Sequence, residues 1–196
     1  MASTAKSDII LANPAPLGLM AFGTTTVLLN LANAGFYPMS SAVLTMGLFY
    51  GGLAQIIAGA LEFRRGNTFG MMAFLSYGLF WESFVFLNLL PSLGLGAAPS
   101  TNSLSSYLFI WGLFTLLMFF GTLRANGALA FVFGSLFVLF FLLTGAVASG
   151  NASVMTIAGY EGVVCGLSAM YTSIAELLNE TYGRSVLPLF LLRPKA

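Results

Sequence analysis

Histidine is absent from this 196-residue chain, cysteine occurs once, and only 7% of the residues are charged. Each shortage removes a class of chemistry. Without histidine there is no Ser-His or Cys-His pair, no imidazole for haem or zinc, and no histidine proton relay. The single thiol, Cys165, permits neither an internal disulfide nor a multi-thiolate metal site, and inside an apolar stretch it reads as buried and structural. No cofactor and no metal are expected, and with no Ser-Lys pair inside the apolar stretches the chain does not read as an enzyme. Seven Lys and Arg against six Asp and Glu give a net charge of +1 without a basic run, so no nucleic-acid partner is expected.

What is abundant is apolar: 58% of the residues are hydrophobic. Apolar runs about 20 residues long, enough to cross roughly 30 Å of hydrocarbon, fall near 15–36, 40–62, 69–91, 105–122, 127–148 and 153–178. The expected fold class is an all-α integral membrane protein, a six-transmembrane-helix bundle. Residues 1–12 form an N-terminal tail, 13–180 the six-helix domain and 181–196 a C-terminal tail. Lys6 precedes the first span, Arg64 and Arg65 follow the second, Arg124 follows the fourth, and Arg184, Arg193 and Lys195 follow the sixth. The connections at 37–39, 92–104 and 149–152 hold no Lys or Arg. The positive-inside rule therefore places both termini in the cytoplasm of a multi-pass plasma or bacterial inner membrane protein. Residues 1–12 lack the apolar core of a removed signal peptide, so the first span is expected to stay.

Three helical hairpins follow in sequence. The turns Arg64-Arg65-Gly66-Asn67, Arg124-Ala125-Asn126-Gly127 and Tyr182-Gly183-Arg184 recur about 60 residues apart, a weak threefold repeat. Pro91, Gly94, Gly96 and Pro99 mark one long external loop. Gly47, Gly51, Gly52 and Gly59 in the second span, and Gly159, Gly162 and Gly166 in the sixth, allow close helix approach in lipid. Glu62, Glu176 and Glu180 lie near span ends and are expected to sit at the interface, within reach of water or of Arg64, Arg65 and Arg184.

The first span opens on Asn13-Pro14-Ala15-Pro16-Leu17-Gly18-Leu19. Asn is a strong N-cap, and proline early in a helix removes donors that would otherwise be orphaned. Such a helix start, at the cytoplasmic surface with a positive dipole end, suits a carboxylate. The run also resembles the signature of the acetate uptake transporter family, whose bacterial members include the succinate-acetate permeases. Gly66-Asn67-Thr68-Phe69-Gly70, Ser76-Tyr77-Gly78 with Phe80-Trp81, Phe119 to Leu123 and Glu176 to Pro188 extend the resemblance over nearly the whole chain.

That resemblance implies a homo-hexameric ring with one pore in each protomer, carrying acetate and in some members succinate. It places Phe22, Tyr77 and Leu136 at a hydrophobic constriction, Ala169 along the acid's path and Gln55 at a polar position used in transport. Counted from the expected span starts, Phe22, Tyr77 and Leu136 lie at one depth, about 10–14 Å in. Eleven residues return a helix to within about 20° of the same face, so Asn33 shares a face with Phe22 and Asn88 with Tyr77. Both amides are expected to point into the outer pore. Glu82 and Glu161 depart from the family pattern, and a charged carboxylate within a span costs about 2.5–3.5 kcal/mol. Glu161 is expected to border the outer pore as a proton site, and Glu82 to point from the Tyr77 face toward a neighbouring helix or subunit.

The expected function is transport of short-chain carboxylic acids, acetate first, across the lipid bilayer, as a channel or with H+. A channel for urea or ammonia and a non-transporting scaffold are the rivals. The topology is testable with single cysteines at Thr101 and Ser185 in a Cys165→Ser background. They are expected to react with an impermeant thiol reagent from opposite sides, and labelling of both from outside would overturn the six-span map.

Overall fold

A computed structural model describes residues 11–192. Lys6, Arg193 and Lys195, and with them the outer parts of both tails, lie outside the described residues. Six helices are long and apolar enough to cross a membrane: α1 Ala15–Asn33, α2 Ser41–Arg64, α3 Thr68–Ser92, α4 Thr101–Thr122, α5 Gly127–Ser149 and α6 Ala152–Thr181. The expected spans match these within a few residues, and the differences have local causes. α4 begins earlier than expected because the Ser100 hydroxyl accepts the Ser103 amide at 3.2 Å and turns loop-like residues into a first helical turn. Pro91 falls inside α3, one residue before its end, rather than in the following loop.

Asparagine caps recur at the helix starts. Asn67 accepts the Gly70 amide, Asn126 the Leu129 amide, and Asn151 the amides of Ser153 and Val154. Each satisfies a donor that the helix itself leaves free. At α5 the following chain adds to this, because the Phe190 and Leu189 carbonyls accept the amides of Gly127 and Ala128 at 2.7 and 3.2 Å. α5 ends on Gly150, whose φ of +64° supplies the left-handed conformation that terminates a helix.

α2 is not a uniform α-helix. Between Gly47 and Ala54 it is π-helical, and this mid-span irregularity was not expected from the sequence. The wider turn accompanies a crowded seam with α3: a Cβ on Gly51 would lie 2.9 Å from the Trp81 indole, and one on Gly52 would collide with the Glu82 carboxylate. π-Turns of this kind occur often beside functional sites.

α1 packs most extensively on α6, and the seam is glycine against backbone. A Cβ on Gly166 would stand 2.7 Å from the Gly23 carbonyl oxygen, and one on Gly23 would stand 2.6 Å from that of Gly166. By contrast the backbones of α3 and α4 stay apart. Rings of Tyr77, Phe80, Tyr107, Trp111 and Phe114 fill the space between them. The outward faces are apolar, with Phe49, Ile110 and Leu117 each more than 60% exposed, as lipid contact requires.

The seam predicts a contrast between two glycines. Gly166→Ala sets a methyl against backbone that cannot retreat and is expected to destabilise by about 1–3 kcal/mol or more. Gly145→Ala, with nothing within 4 Å of the new methyl, is expected to be neutral or to stabilise by up to about 1 kcal/mol. Thermal unfolding of the detergent-solubilised variants checks both, and equal midpoints would refute the tight-seam account.

Candidate functional site

A cavity of about 110 Å³ opens within the arginine-bearing half of the bundle, walled by residues of α1, α2, α3, α5 and α6. That volume holds several waters or one small acid. Phe22, Tyr77 and Leu136 line it together, although they come from three helices separated by more than 50 residues each. They stand seven, nine and nine residues past the starts of α1, α3 and α5, which is why parallel spans bring them to one level. All three are buried, and the Phe22 and Tyr77 ring centroids are 5.8 Å apart.

Tyr77 is held from several sides. Its ring meets Phe114 and Phe133 edge-on at 5.6 and 5.9 Å. Its hydroxyl donates to Thr115 Oγ1 at 2.9 Å, and Thr115 in turn donates to the Trp111 carbonyl at 2.7 Å. The Thr115 proton is thus committed, so the Tyr77 proton is committed as well. What Tyr77 offers the cavity is an oxygen lone pair, an acceptor only. One turn further along α3, Phe80 packs on Tyr107, Trp111 and Phe140 with centroids 5.2–5.9 Å away. Apart from Phe80, which entered only through the Phe80-Trp81 pair of the resemblance, these rings were not singled out from the sequence, where abundant aromatics give no spacing signal.

The opposite end of the cavity is polar. Gln55 and Glu62 are both fully buried in its wall, and Glu176 of α6 joins them. Glu62 was expected at the interface; instead it is enclosed, packed against Gly70 in the first turn of α3. Arg65 approaches its Oε1 at 3.8 Å, close enough for attraction but too long for a hydrogen bond. The same Arg65 Nη1 donates to Asn13 Oδ1 at 2.6 Å.

The opening motif is therefore tied to this mouth. Helix α1 starts at Ala15 with Pro14 in the capping position, so Asn13 stands one residue further out than expected. Its carbonyl still accepts the Ala15 amide at 3.2 Å. Pro16 is the second helical residue, and its carbonyl accepts the Ser173 hydroxyl of α6. Ala15 and Leu19 line the cavity, Gly18 lets the Phe74 ring lie flat on α1, and Leu17 is exposed.

The remaining expected residues sit elsewhere. Ala169 is buried in the hydrophobic cluster that contains the constriction but does not border the cavity. Asn33 and Asn88 lie on the far side, and neither amide is free: Asn33 donates to Asn30 and exposed Asn88 donates to the Phe84 carbonyl. The amide buried on that side is Asn30, enclosed against Gly162. The eleven-residue rule carried both residues toward helix ends, where each amide bonds within its own helix, Asn33 to the Asn30 side chain and Asn88 to backbone. Glu82 packs its carboxylate on the Gly52 backbone. Glu161 is half-buried, with Oε2 enclosed and unpartnered.

Comparison with known proteins bears on this arrangement. The profile of the GPR1/FUN34/yaaH family matches residues 2–193. The chain is 55% identical to the succinate-acetate/proton symporter SatP of Escherichia coli K12 over 179 residues, 91% of this chain and 95% of that protein. It is 33% identical to acetate permease A of Emericella nidulans, over 90% of this chain and 65% of the permease. A solved structure, that of the bacterial acetate channel SatP, superposes with a TM-score of 0.91 at 55% identity, covering 92% of this chain and 99% of that one.

Leu136 is the flexible aliphatic member of the constriction. Leu136→Ala is expected to enlarge the path and raise lactate passage relative to acetate by up to about 1–3 kcal/mol in discrimination, roughly ten- to two-hundredfold. Competitive uptake into proteoliposomes measures the ratio, and an unchanged ratio would remove Leu136 from the path.

Proposed function

The chain belongs to the GPR1/FUN34/yaaH family, and we propose that it moves acetate and succinate across the membrane that its six helices span. The observation that carries this reading is the cavity with a polar, arginine-flanked mouth that closes on Phe22, Tyr77 and Leu136. It is the size of a small acid and needs no covalent chemistry to act.

The acid crosses the constriction neutral. A carboxylate stripped of water among these side chains would lose several kcal/mol of solvation with no donor to replace it. The Tyr77 hydroxyl supports the same choice, because an oxygen that can only accept welcomes the O–H of a carboxylic acid and repels a carboxylate oxygen. Asn13 and Arg65 sit where an arriving anion meets the protein, and Gln55 lies between mouth and constriction. Beyond the rings, the unpartnered Glu161 oxygen is a candidate protonatable group at the outer side, whereas Glu82 serves the α2–α3 contact. Ala169 supports the path from behind.

Residues 13–180 act as one transport domain between short tails. The arginine-bearing turns face the cytoplasm, as the positive-inside rule asks, so both termini are cytoplasmic. The outward apolar faces meet lipid and, in a homo-hexameric ring, neighbouring protomers. Each protomer keeps its own pore.

Proteoliposomes provide the test. Labelled acetate uptake above that of protein-free vesicles is expected, rising when the outside is acidified relative to the lumen, with competition by succinate and none by urea. Uptake of urea at a comparable rate would favour a neutral-solute channel, and vesicles silent to both would favour a scaffold.

A further inference from the structure

Among the described residues, buried polar side-chain atoms without a hydrogen-bonding partner occur on Thr26, Gln55, Glu62, Trp81 and Glu161. Only Gln55 and Glu62 of these line the cavity. They are seven residues apart on the α-helical part of α2, so they share one face about two turns apart. Glu62 stands toward the mouth and Gln55 deeper, toward Phe22, Tyr77 and Leu136. Both oxygens of Glu62 and both polar atoms of Gln55 are unpartnered. A folded protein leaves so many buried groups open only where something else completes them.

We propose that Glu62, with Gln55 and Glu176, forms a proton-exchange site that delivers a proton to, or takes it from, the carboxyl group of the transported acid. The inference rests on the transport reading above and names the groups that would do its proton work. The exchange is balanced within the cavity. The O–H bond of protonated Glu62 breaks as an O–H bond forms on the incoming carboxylate, leaving Glu62 ionised and the acid neutral. The reverse step returns the proton to Glu62 when acid arrives through the constriction. The Gln55 amide offers one donor side and one acceptor side, so it can hold the carboxylate before transfer and the acid O–H after it.

The surroundings fit a group that must change charge. Just past the end of α2, Arg65 lies 3.8 Å from Glu62 and attracts its ionised form without occupying its lone pairs. On α6, Glu176 lines the same cavity and shares its electrostatic environment with Glu62, Glu180 and Arg65, while Asn13 of α1 stands beside it. α3 faces the site with Asn67, Gly70 and Tyr77, and α5 only with apolar side chains. A route to water runs past Glu176 and the one-third-exposed Arg65.

Uptake of labelled acetate by wild-type and Glu62→Gln proteoliposomes, corrected for protein-free vesicles, tests the assignment. Near pH 5 much of the acid is already neutral in solution, whereas near pH 7.5 almost all is carboxylate and must gain a proton from the protein. The expected result is a loss of at least about tenfold near pH 7.5 with less than about a twofold loss near pH 5, and an unchanged thermal midpoint. An equal fractional loss at both pH values, or no loss at either, overturns the proposal. If Glu62→Gln does not fold, Glu176→Gln must show the same selective loss, and a pH-independent loss there overturns it equally. Wild-type vesicles that take up no acetate would overturn the transport reading and this inference with it. Wild-type uptake with parallel pH profiles overturns this inference alone.

Discussion

An amide or hydroxyl in hydrocarbon has no water to fall back on, so each must find its partner within the protein. The six helices satisfy their own backbones, and the polar side chains among them turn to the same supply. Thr25, Thr115, Thr144 and Thr172 each donate to the carbonyl four residues back, and Asn30 does the same to Thr26. Where this local bonding serves most of the described threonines, an unpartnered glutamine and an unpartnered glutamate in one cavity wall stand out. In the proposal above the cavity, rather than the bundle, supplies what they bond.

The cavity exists because the helices are not evenly packed. Glycine against backbone draws α1 onto α6, and glycine against indole draws α2 onto α3. Pulling those pairs together leaves α3 too far from α4 and α5 for backbone contact, and rings close the gap. The void remains on the arginine-bearing side of these rings. A path through such a protein is a gap between two packing regimes.

Much of this was legible in the sequence. Span number followed from length and hydropathy, whereas the caps at Asn67, Asn126 and Asn151 were not singled out. The meeting of Phe22, Tyr77 and Leu136 is what the family resemblance implied, and their equal depth agrees with it, because parallel helices of one pitch preserve depth. Rotation about the axis is less secure. Asn33 and Asn88 were placed by a face argument that ignores helix ends, and Asn30, one turn earlier, is the enclosed amide. Glu62 was misjudged for a related reason: it precedes Arg64 and Arg65 by two and three residues, and that charge pattern looks interfacial. Its burial depends on Gly70 of the next helix leaving room, a long-range fit that no local pattern carries. The π-helical stretch of α2 likewise answers to Trp81 and Glu82 across a seam rather than to its own residues.

The two ends of the cavity ask opposite things of a carboxylic acid. At the mouth, the Arg65 guanidinium beside Asn13 favours the anion, which is also the form that predominates in neutral water. At the constriction, apolar walls and a Tyr77 oxygen without a proton to give favour the neutral acid. A solute held in one form throughout would be stopped at one end or the other. In the proposed exchange, charge changes between them, in the short stretch of α2 that separates Glu62 from Gln55. Under that proposal the proton that neutralises the acid also leaves it there on the return, so movement of acid through the constriction is tied to movement of one proton in the same direction.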